Sequence, residues 1–281
     1  MFPAGIAGLT TRTLSMRSGL RVRLVEAGPA SGAPVVLIHG WGACIYTFRS
    51  AVPALARSGR RVLAFDLRGH GLSDKPVGRG KYTLDALCGD LRELMEAAGI
   101  DRADLLGHSL GGGVVLHFAL AHPERIRRLV LAAPVGLTSI RLPAIGHFLT
   151  PRFTDRFARY LTPRWLTNAL LRSTYGKPSR VTDRDVDEYW APSQFPDYYR
   201  AARALLGEFD WNAVAAPRLA SMSCRTLVIL SGADRLIRGA EGPATAIRNA
   251  TVVTLEGAGH LGVEECADEF NGMVLGFLNE D

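Results

Sequence analysis

The chain has 281 residues, a mass of 30.4 kDa and a formal net charge of +6, with 47% hydrophobic and 21% charged residues. This length is enough to bury a sizeable core in one domain, or in one domain that carries an inserted subdomain. The positive charge comes from arginines scattered along the chain, with only three lysines and no long basic tract. This distribution argues against a nucleic-acid partner.

Targeting and cofactor motifs are missing from the sequence. No apolar run approaches the roughly 18 residues of a membrane span, and residues 1–13 lack the basic and apolar regions of a secretory signal. We therefore expect a cytoplasmic protein without a membrane span. His-Glu-x-x-His, phosphate-loop and dinucleotide motifs are absent, so neither a metal nor a cofactor is expected. The widely spaced cysteines favour small buried side chains over a zinc site or redox pair; they are Cys44, Cys88, Cys224 and Cys266.

The predicted elements alternate between strands and helices. Thr13–Met16 and Leu20–Ala27 predict an opening antiparallel pair of strands. Apolar runs then predict buried strands at residues 34–38, 61–65, 103–107, 126–132, 226–230 and 251–255. Helices are predicted at residues 48–57, 114–121, 240–247 and 266–278. A further helix carries Leu84, Leu87, Leu91 and Leu94 on one face and is ended by Gly99. This alternation implies right-handed crossovers and a mostly parallel, doubly wound sheet in an α/β fold.

The alternation breaks between Val135 and about Ser223. Strand runs disappear there, and the segment is rich in aromatic residues. We interpret residues 135–223 as a mainly helical insertion, and residues 1–134 and 224–281 as one α/β core.

A Gly-x-Ser-x-Gly turn lies between the strand that begins at Ala103 and the helix that follows. A nucleophile at such a turn has a strained backbone, and a side chain at Gly107 or Gly111 would collide with the crossing backbone. The helix start also leaves the N–H of Leu110 free to hold a developing oxyanion. The motif alone also fits an ordinary strand-to-helix loop. Its strand and helix context predicts Ser109 as a nucleophile.

A serine hydroxyl is a weak nucleophile near neutral pH, so it needs an adjacent base that a third group orients. Asp234 follows the strand that ends at Leu230, and His260 follows the strand that ends at Leu255. The carboxyl ends of parallel strands meet at one edge of a sheet. We therefore predict that Ser109, Asp234 and His260 form a catalytic triad.

With these motifs the chain resembles the α/β-hydrolase superfamily over nearly its whole length. The resemblance rests on His39-Gly40-Trp41-Gly42, on residues 66–73, on Gly107-His108-Ser109-Leu110-Gly111-Gly112 and on the loops of Asp234 and His260. It implies an oxyanion hole made by the backbone N–H groups of Trp41 and Leu110, and a cap formed by the insertion. It also implies that His39 and His70 brace loops and that Asp66 is architectural.

The choice of reaction depends on two departures from related enzymes. Epoxide hydrolases and haloalkane dehalogenases share the architecture but use an aspartate where this chain has Ser109. Carbon–carbon bond hydrolases of ring-cleavage products usually carry a Gly-Pro-Gly oxyanion loop and a tryptophan after the histidine. This chain has Gly42-Ala43-Cys44 and Leu261 there.

Three candidate functions are considered. The first expectation is hydrolysis of small to medium apolar carboxylic esters through an acyl-enzyme. Carbon–carbon cleavage comes second, and a non-catalytic receptor or carrier of a small ligand is the third alternative. The oligomeric state is left open.

Overall fold

The computed structural model describes residues 1–140, 162–195 and 197–280. Residues 141–161, which belong to the predicted insertion, lie outside the described residues. The strands are β1 (Leu9–Ser15), β2 (Arg21–Ala27), β3 (Pro34–Ile38), β4 (Arg61–Phe65), β5 (Ala103–His108), β6 (Ile126–Ala132), β7 (Arg225–Ser231) and β8 (Ala250–Leu255). The α-helices of the described residues are α1 (Ala51–Arg57), α2 (Leu84–Ala97), α3 (Leu110–Ala121), α4 (Arg164–Thr174), α5 (Asp183–Ser193), α6 (Tyr198–Glu208), α7 (Ala216–Ala220), α8 (Glu241–Thr245), α9 (Gly262–Glu265) and α10 (Ala267–Asn279).

The eight strands form one sheet in the order β1-β2-β4-β3-β5-β6-β7-β8. β2 pairs antiparallel with both β1 and β4, and the remaining five pairings are parallel. The prediction of a mostly parallel sheet with an opening antiparallel pair is thus confirmed. β5 lies between β3 and β6, so the residue that follows β5 lies at the centre of the carboxyl edge.

Two hydrophobic cores cover the two faces of the sheet. Successive residues of β3 alternate between them, with Val36 and Ile38 in one core and Val35 and Leu37 in the other. Helices α2 and α3 contribute to the first core, and α1 and α10 contribute to the second. Burial on both faces explains why the parallel strands are continuous apolar runs.

Helix α3 begins at Leu110, four residues before the predicted start at Val114. Glycine is a poor helix former, so Gly111 to Gly113 did not fit the helical pattern. A Cβ at Gly112 would lie 2.7 Å from the Cβ of Pro134. The helix therefore needs a glycine here in order to pack against the loop after β6, and tertiary contact outweighs propensity.

The predicted helix over residues 48–57 is divided in the structure. A 3₁₀ turn spans Ile45–Phe48, and α1 begins at Ala51. The Ile45 N–H donates to Oδ1 of Asp66 at 2.8 Å, which fixes the start of the turn. The aspartate therefore has the architectural contact that the family resemblance implied.

Between β6 and β7, the described residues contain helices α4 to α7 and no strand. Helix α6 contacts the loop after β3, and the turn that follows α4 contacts the segment around α9. None of the helices in the described ranges is long and apolar enough to cross a membrane.

Candidate active site

Ser109 lies at the sharp turn between β5 and α3. Its backbone has φ 54° and ψ −118°, a left-handed conformation that side-chain-bearing residues rarely adopt. A Cβ at Gly107 would lie 2.3 Å from the carbonyl oxygen of Gly111, and one at Gly111 would lie 2.1 Å from that of Ile38. The predicted collisions are thus confirmed, and they explain why glycine stands on both sides of the serine.

The structure brings the three predicted side chains together. Nε2 of His260 is 2.9 Å from Oγ of Ser109, and Nδ1 of His260 is 2.8 Å from Oδ2 of Asp234. All three residues are buried, with 7–9% of their surfaces exposed. A carboxylate can only accept, so Nδ1–H donates to Asp234, and Nε2 is left to accept the hydroxyl hydrogen of Ser109. This tautomer is the one that a general base requires.

Asp234 is held as a carboxylate by several donors. Burial on its own raises the pKa of this group, but the interaction with His260 and the hydrogen bonds from two backbone N–H groups together lower it. Oδ1 also accepts the N–H groups of Leu236 and Ile237, at 2.7 and 3.0 Å. These bonds fix the carboxylate and leave its other oxygen for the histidine.

The loop after β3 lies directly beside the serine. A Cβ at Gly40 would lie 3.4 Å from Oγ of Ser109. Within the described part of the chain, the N–H groups of the next residue, Trp41, and of Leu110 have no protein acceptor. Two free amides therefore lie on the chain segments that flank the serine hydroxyl.

Helix α6 lies over this loop. The indole Nε1–H of Trp41 donates to the carbonyl of Ala202 at 3.4 Å, and the hydroxyl of Tyr198 donates to the carbonyl of Gly42 at 3.5 Å. Tyr198 and Ala202 are four residues apart on α6, so they lie on the same face of the helix. The predicted insertion thus contacts the loop that carries one of the free amides.

Three further histidines are buried near the site and are neutral. Burial lowers the pKa of His39 to about 4 and that of His108 to about 3. His39 donates from Nδ1 to the carbonyl of Gly40 at 2.8 Å and accepts the Leu67 N–H at Nε2 at 3.0 Å. It therefore braces two loops, as the family resemblance implied. His70 donates to the carbonyl of Arg68 at 3.1 Å, and burial lowers its pKa to about 3.

His108 contacts the loop that carries His260. Its Nε2–H donates to the backbone carbonyl of His260 at 2.9 Å. The ring centroids of the two histidines are 5.0 Å apart. This hydrogen bond fixes the backbone of His260.

Two buried acids behind His260 were missed by sequence reasoning. Glu264 contacts Arg49, Tyr175 at 2.9 Å and Tyr189. Burial raises its pKa in spite of the nearby arginine. Glu265 accepts hydrogen bonds from three backbone N–H groups. The only signal in the sequence was a pair of acids in the otherwise apolar stretch after the histidine.

A mostly parallel sheet with a serine on a strained turn at its central carboxyl edge is the architecture of an α/β hydrolase. The family model for the alpha/beta hydrolase fold matches residues 33–266. The chain therefore belongs to this family.

Three comparisons show the range of chemistry among similar proteins. The chain is 31% identical over 260 residues to the dihydrolipoyllysine-residue acetyltransferase component of the acetoin cleaving system of Cupriavidus necator. That match covers 91% of this chain and 66% of the relative, so the chain spans less than two thirds of the relative's length. It is 39% identical over 124 residues to 2-hydroxymuconate semialdehyde hydrolase of Pseudomonas sp. (strain CF600), covering 43% of this chain and 42% of that protein.

Among solved structures, the enol-lactonase of Burkholderia xenovorans LB400 is similar, with a TM-score of 0.79 and 25% identity. The similarity covers 96% of this chain and all of that one. The similar proteins thus include hydrolases of different bonds and an acyltransferase component.

Proposed function

We propose that the protein is a serine hydrolase that cleaves carboxylic esters of small to medium apolar substrates through an acyl-enzyme. The observation that carries the proposal is the chain of hydrogen bonds from Ser109 through His260 to Asp234, with 2.9 and 2.8 Å between the joined atoms. The enol-lactonase offers support, because a lactone is a cyclic ester and the two chains are similar over nearly their full lengths.

In the proposed mechanism, Oγ of Ser109 attacks the ester carbonyl as its proton moves to Nε2 of His260. The carboxylate of Asp234 stabilises the imidazolium that forms. The backbone N–H groups of Trp41 and Leu110 donate to the oxyanion, and losing one such donor typically costs about 3–4 kcal/mol of transition-state stabilisation. The protonated His260 then gives its proton to the leaving alcohol.

The second half of the cycle uses the same groups. Water replaces the alcohol and gives a proton to Nε2 of His260 while its oxygen attacks the acyl carbonyl. Collapse of the second oxyanion breaks the bond to Oγ of Ser109, which takes back the proton. The acid product then leaves and the free enzyme is regenerated. None of these proposed reaction steps uses a cofactor or a metal.

We assign the insertion, residues 135–223, the role of a cap over this site, with residues 1–134 and 224–281 as the core. The contacts of Trp41 with Ala202 and of Tyr198 with Gly42 support this division, because they join α6 to the loop beside the serine. Such a cap limits the size of the acyl or alcohol group.

The proposal is tested by hydrolysis of p-nitrophenyl esters of increasing acyl length. Turnover is expected in the wild type and absent in Ser109→Ala, and an organophosphonate should label Ser109. Ser221→Ala is the matched control, because this exposed serine caps α7 and lies outside the site. Ester turnover that persists in Ser109→Ala would contradict the proposal.

Carbon–carbon bond hydrolysis is the second candidate, favoured by the similarity to 2-hydroxymuconate semialdehyde hydrolase. The position after the histidine is occupied by Leu261, which is 6% exposed and packs with Leu171 and Tyr175 of the insertion. This candidate would be established if the wild-type protein is labelled at Ser109, does not hydrolyse esters and cleaves a dienoic ring-cleavage product. Labelling without turnover of either substrate class would favour a ligand receptor.

A further inference from the structure

The segment behind His260 is joined to the insertion by one buried carboxylate. Oε2 of Glu265 accepts the N–H groups of Gly259 at 2.9 Å and of Gly176 at 2.8 Å, and Oε1 accepts the N–H of Lys177 at 2.6 Å. Glu265 is 7% exposed. Three backbone donors on a single carboxylate make a strong, directional contact. One of these donors belongs to the residue immediately before His260, and two belong to the turn after α4.

The two backbone segments also touch directly. A Cβ at Gly176 would lie 2.0 Å from the carbonyl oxygen of Gly257, and one at Gly259 would lie 2.3 Å from that of Thr174. Glycine is therefore required on both sides of this contact. The turn at residues 174–177, here named the cap turn, lies against the residues that precede His260, here named the histidine loop (residues 257–260).

The backbone on both sides of His260 is consequently fixed. Glu265 holds the N–H of Gly259, and His108 holds the carbonyl of His260 at 2.9 Å. A base must lie within about 0.5 Å of its productive position, and residues that lock it through hydrogen bonds supply that precision. The hydrogen bond from His108 lies within the core, whereas Glu265 also accepts the N–H groups of two residues of the insertion.

We propose that Glu265 is a positioning residue that joins the cap turn to the histidine loop, so that the seating of the insertion sets the position of His260. The proposal rests on the role of His260 proposed above. It assigns Glu265 no contact with substrate. Its effect reaches the reaction through the backbone of Gly259.

The expected order of the variants follows from the donors. Glu265→Ala removes all three hydrogen bonds. Glu265→Gln keeps one oxygen acceptor but places an amide N–H₂ against a backbone N–H, so one bond is replaced by a repulsive contact. Gly176→Ala leaves the carboxylate intact and pushes the cap turn away from the loop. Two controls match these changes: Asp104→Asn removes a buried carboxylate at the opposite end of β5, and Gly207→Ala adds a Cβ into open space on α6.

The first measurement is the rate at which an organophosphonate labels Ser109, together with kcat and KM for an ester. Glu265→Ala is expected to lower the labelling rate and kcat by on the order of 10- to 100-fold with KM nearly unchanged, since small misplacements of a catalytic group cost that much. Glu265→Gln should be intermediate, and Gly176→Ala should fall with Glu265→Ala. The controls should stay within about twofold of the wild type.

The second measurement does not depend on catalysis. The Nδ1–H proton of His260 donates to a carboxylate and should give a downfield NMR signal in protein labelled with ¹⁵N-histidine, assigned by its loss in His260→Gln. We expect this signal to broaden or disappear in Glu265→Ala and Gly176→Ala and to remain in both controls. Because it requires only a folded protein, it reports on positioning even if the wild type neither labels nor turns over esters.

The outcomes separate the two proposals. If the wild-type protein is labelled at Ser109 but does not hydrolyse esters, the ester assignment is overturned. The labelling rates of the variants then still test the role of Glu265. Wild-type protein that does not label overturns the serine nucleophile, and the NMR signal alone then decides on positioning. A folded Glu265→Ala variant with the wild-type signal, and with wild-type labelling where labelling occurs, overturns the role of Glu265. If Glu265→Ala does not fold, Glu265→Gln and Gly176→Ala are judged by the same criteria.

Discussion

Replacing Gly111 by alanine tests whether the position of the serine turn depends on backbone contact with β3. The new Cβ would lie 2.1 Å from the carbonyl oxygen of Ile38 and 2.6 Å from that of His39, whereas real contacts of this kind lie beyond about 3.0 Å. Either α3 or the end of β3 must therefore move by about 1 Å. A change of that size in a packed core typically costs about 1–3 kcal/mol of unfolding free energy.

The same movement changes the distance between the two proposed oxyanion donors. Leu110 precedes the substituted residue on α3, and Trp41 lies on the loop after β3, so the shift separates their N–H groups. Misplacement by about 1 Å is expected to lower kcat/KM on the order of 100-fold. We therefore expect Gly111→Ala to lose both stability and turnover.

Urea unfolding and ester kinetics measure the two effects separately. Gly272→Ala is the matched control, because this glycine lies in α10 and a Cβ there would meet nothing within 4 Å. The control should be neutral or more stable by about 0.5–1 kcal/mol, since glycine inside a helix is destabilising. A Gly111→Ala protein with the stability and kcat/KM of the wild type would refute the reasoning.

Three further predictions concern buried charge. Asp234→Asn should lower kcat by about 10⁴, because an amide favours the wrong tautomer of His260; kinetics of a correctly folded variant check this, and a loss below tenfold would contradict it. Arg49→Met leaves Glu264 buried without its cation, so urea unfolding should show a loss of about 3–5 kcal/mol, whereas Arg164→Met, at an exposed pair, should leave the midpoint close to wild type. Buried neutral histidines should make stability fall as the pH drops below 6.5 towards 4. Each contributes about 1.4 kcal/mol per pH unit, because the unfolded chain binds the protons that the fold excludes. The histidines concerned are His39, His70 and His108. Urea midpoints at pH 7, 6 and 5 measure the loss of stability, and a profile that does not change with pH would contradict the prediction.

The strands and the order of the site residues could be read from the sequence because both depend on local pattern. A strand buried on both faces must be apolar throughout, as Val35 to Ile38 are. Ser109, Asp234 and His260 each follow such a strand, and parallel strands bring their carboxyl ends together. The glycines around Ser109 were informative because the Gly-x-Ser-x-Gly motif is itself a local pattern.

Features that depend on contacts between distant segments could not be read in this way. Helix α3 begins at Leu110 and includes Gly112, whose close approach to Pro134 is a tertiary contact that helix propensity does not contain. Glu265 resembled any acid near a helix start, and its three backbone donors come from segments 6, 88 and 89 residues away. A carboxylate whose partners are backbone groups has no sequence signature, because every residue except proline carries an N–H.

The three parts of the site are supported by different regions of the molecule. The turn at Ser109 is fixed by collisions within the core, since its neighbours contact β3 and the loop after β6. The loop of Trp41 makes a hydrogen bond to the insertion, whereas the loop of His260 is joined to the insertion through Glu265 and to the core through His108. Changes in the insertion should therefore act on the proposed general base and on the proposed oxyanion donor before they act on the proposed nucleophile.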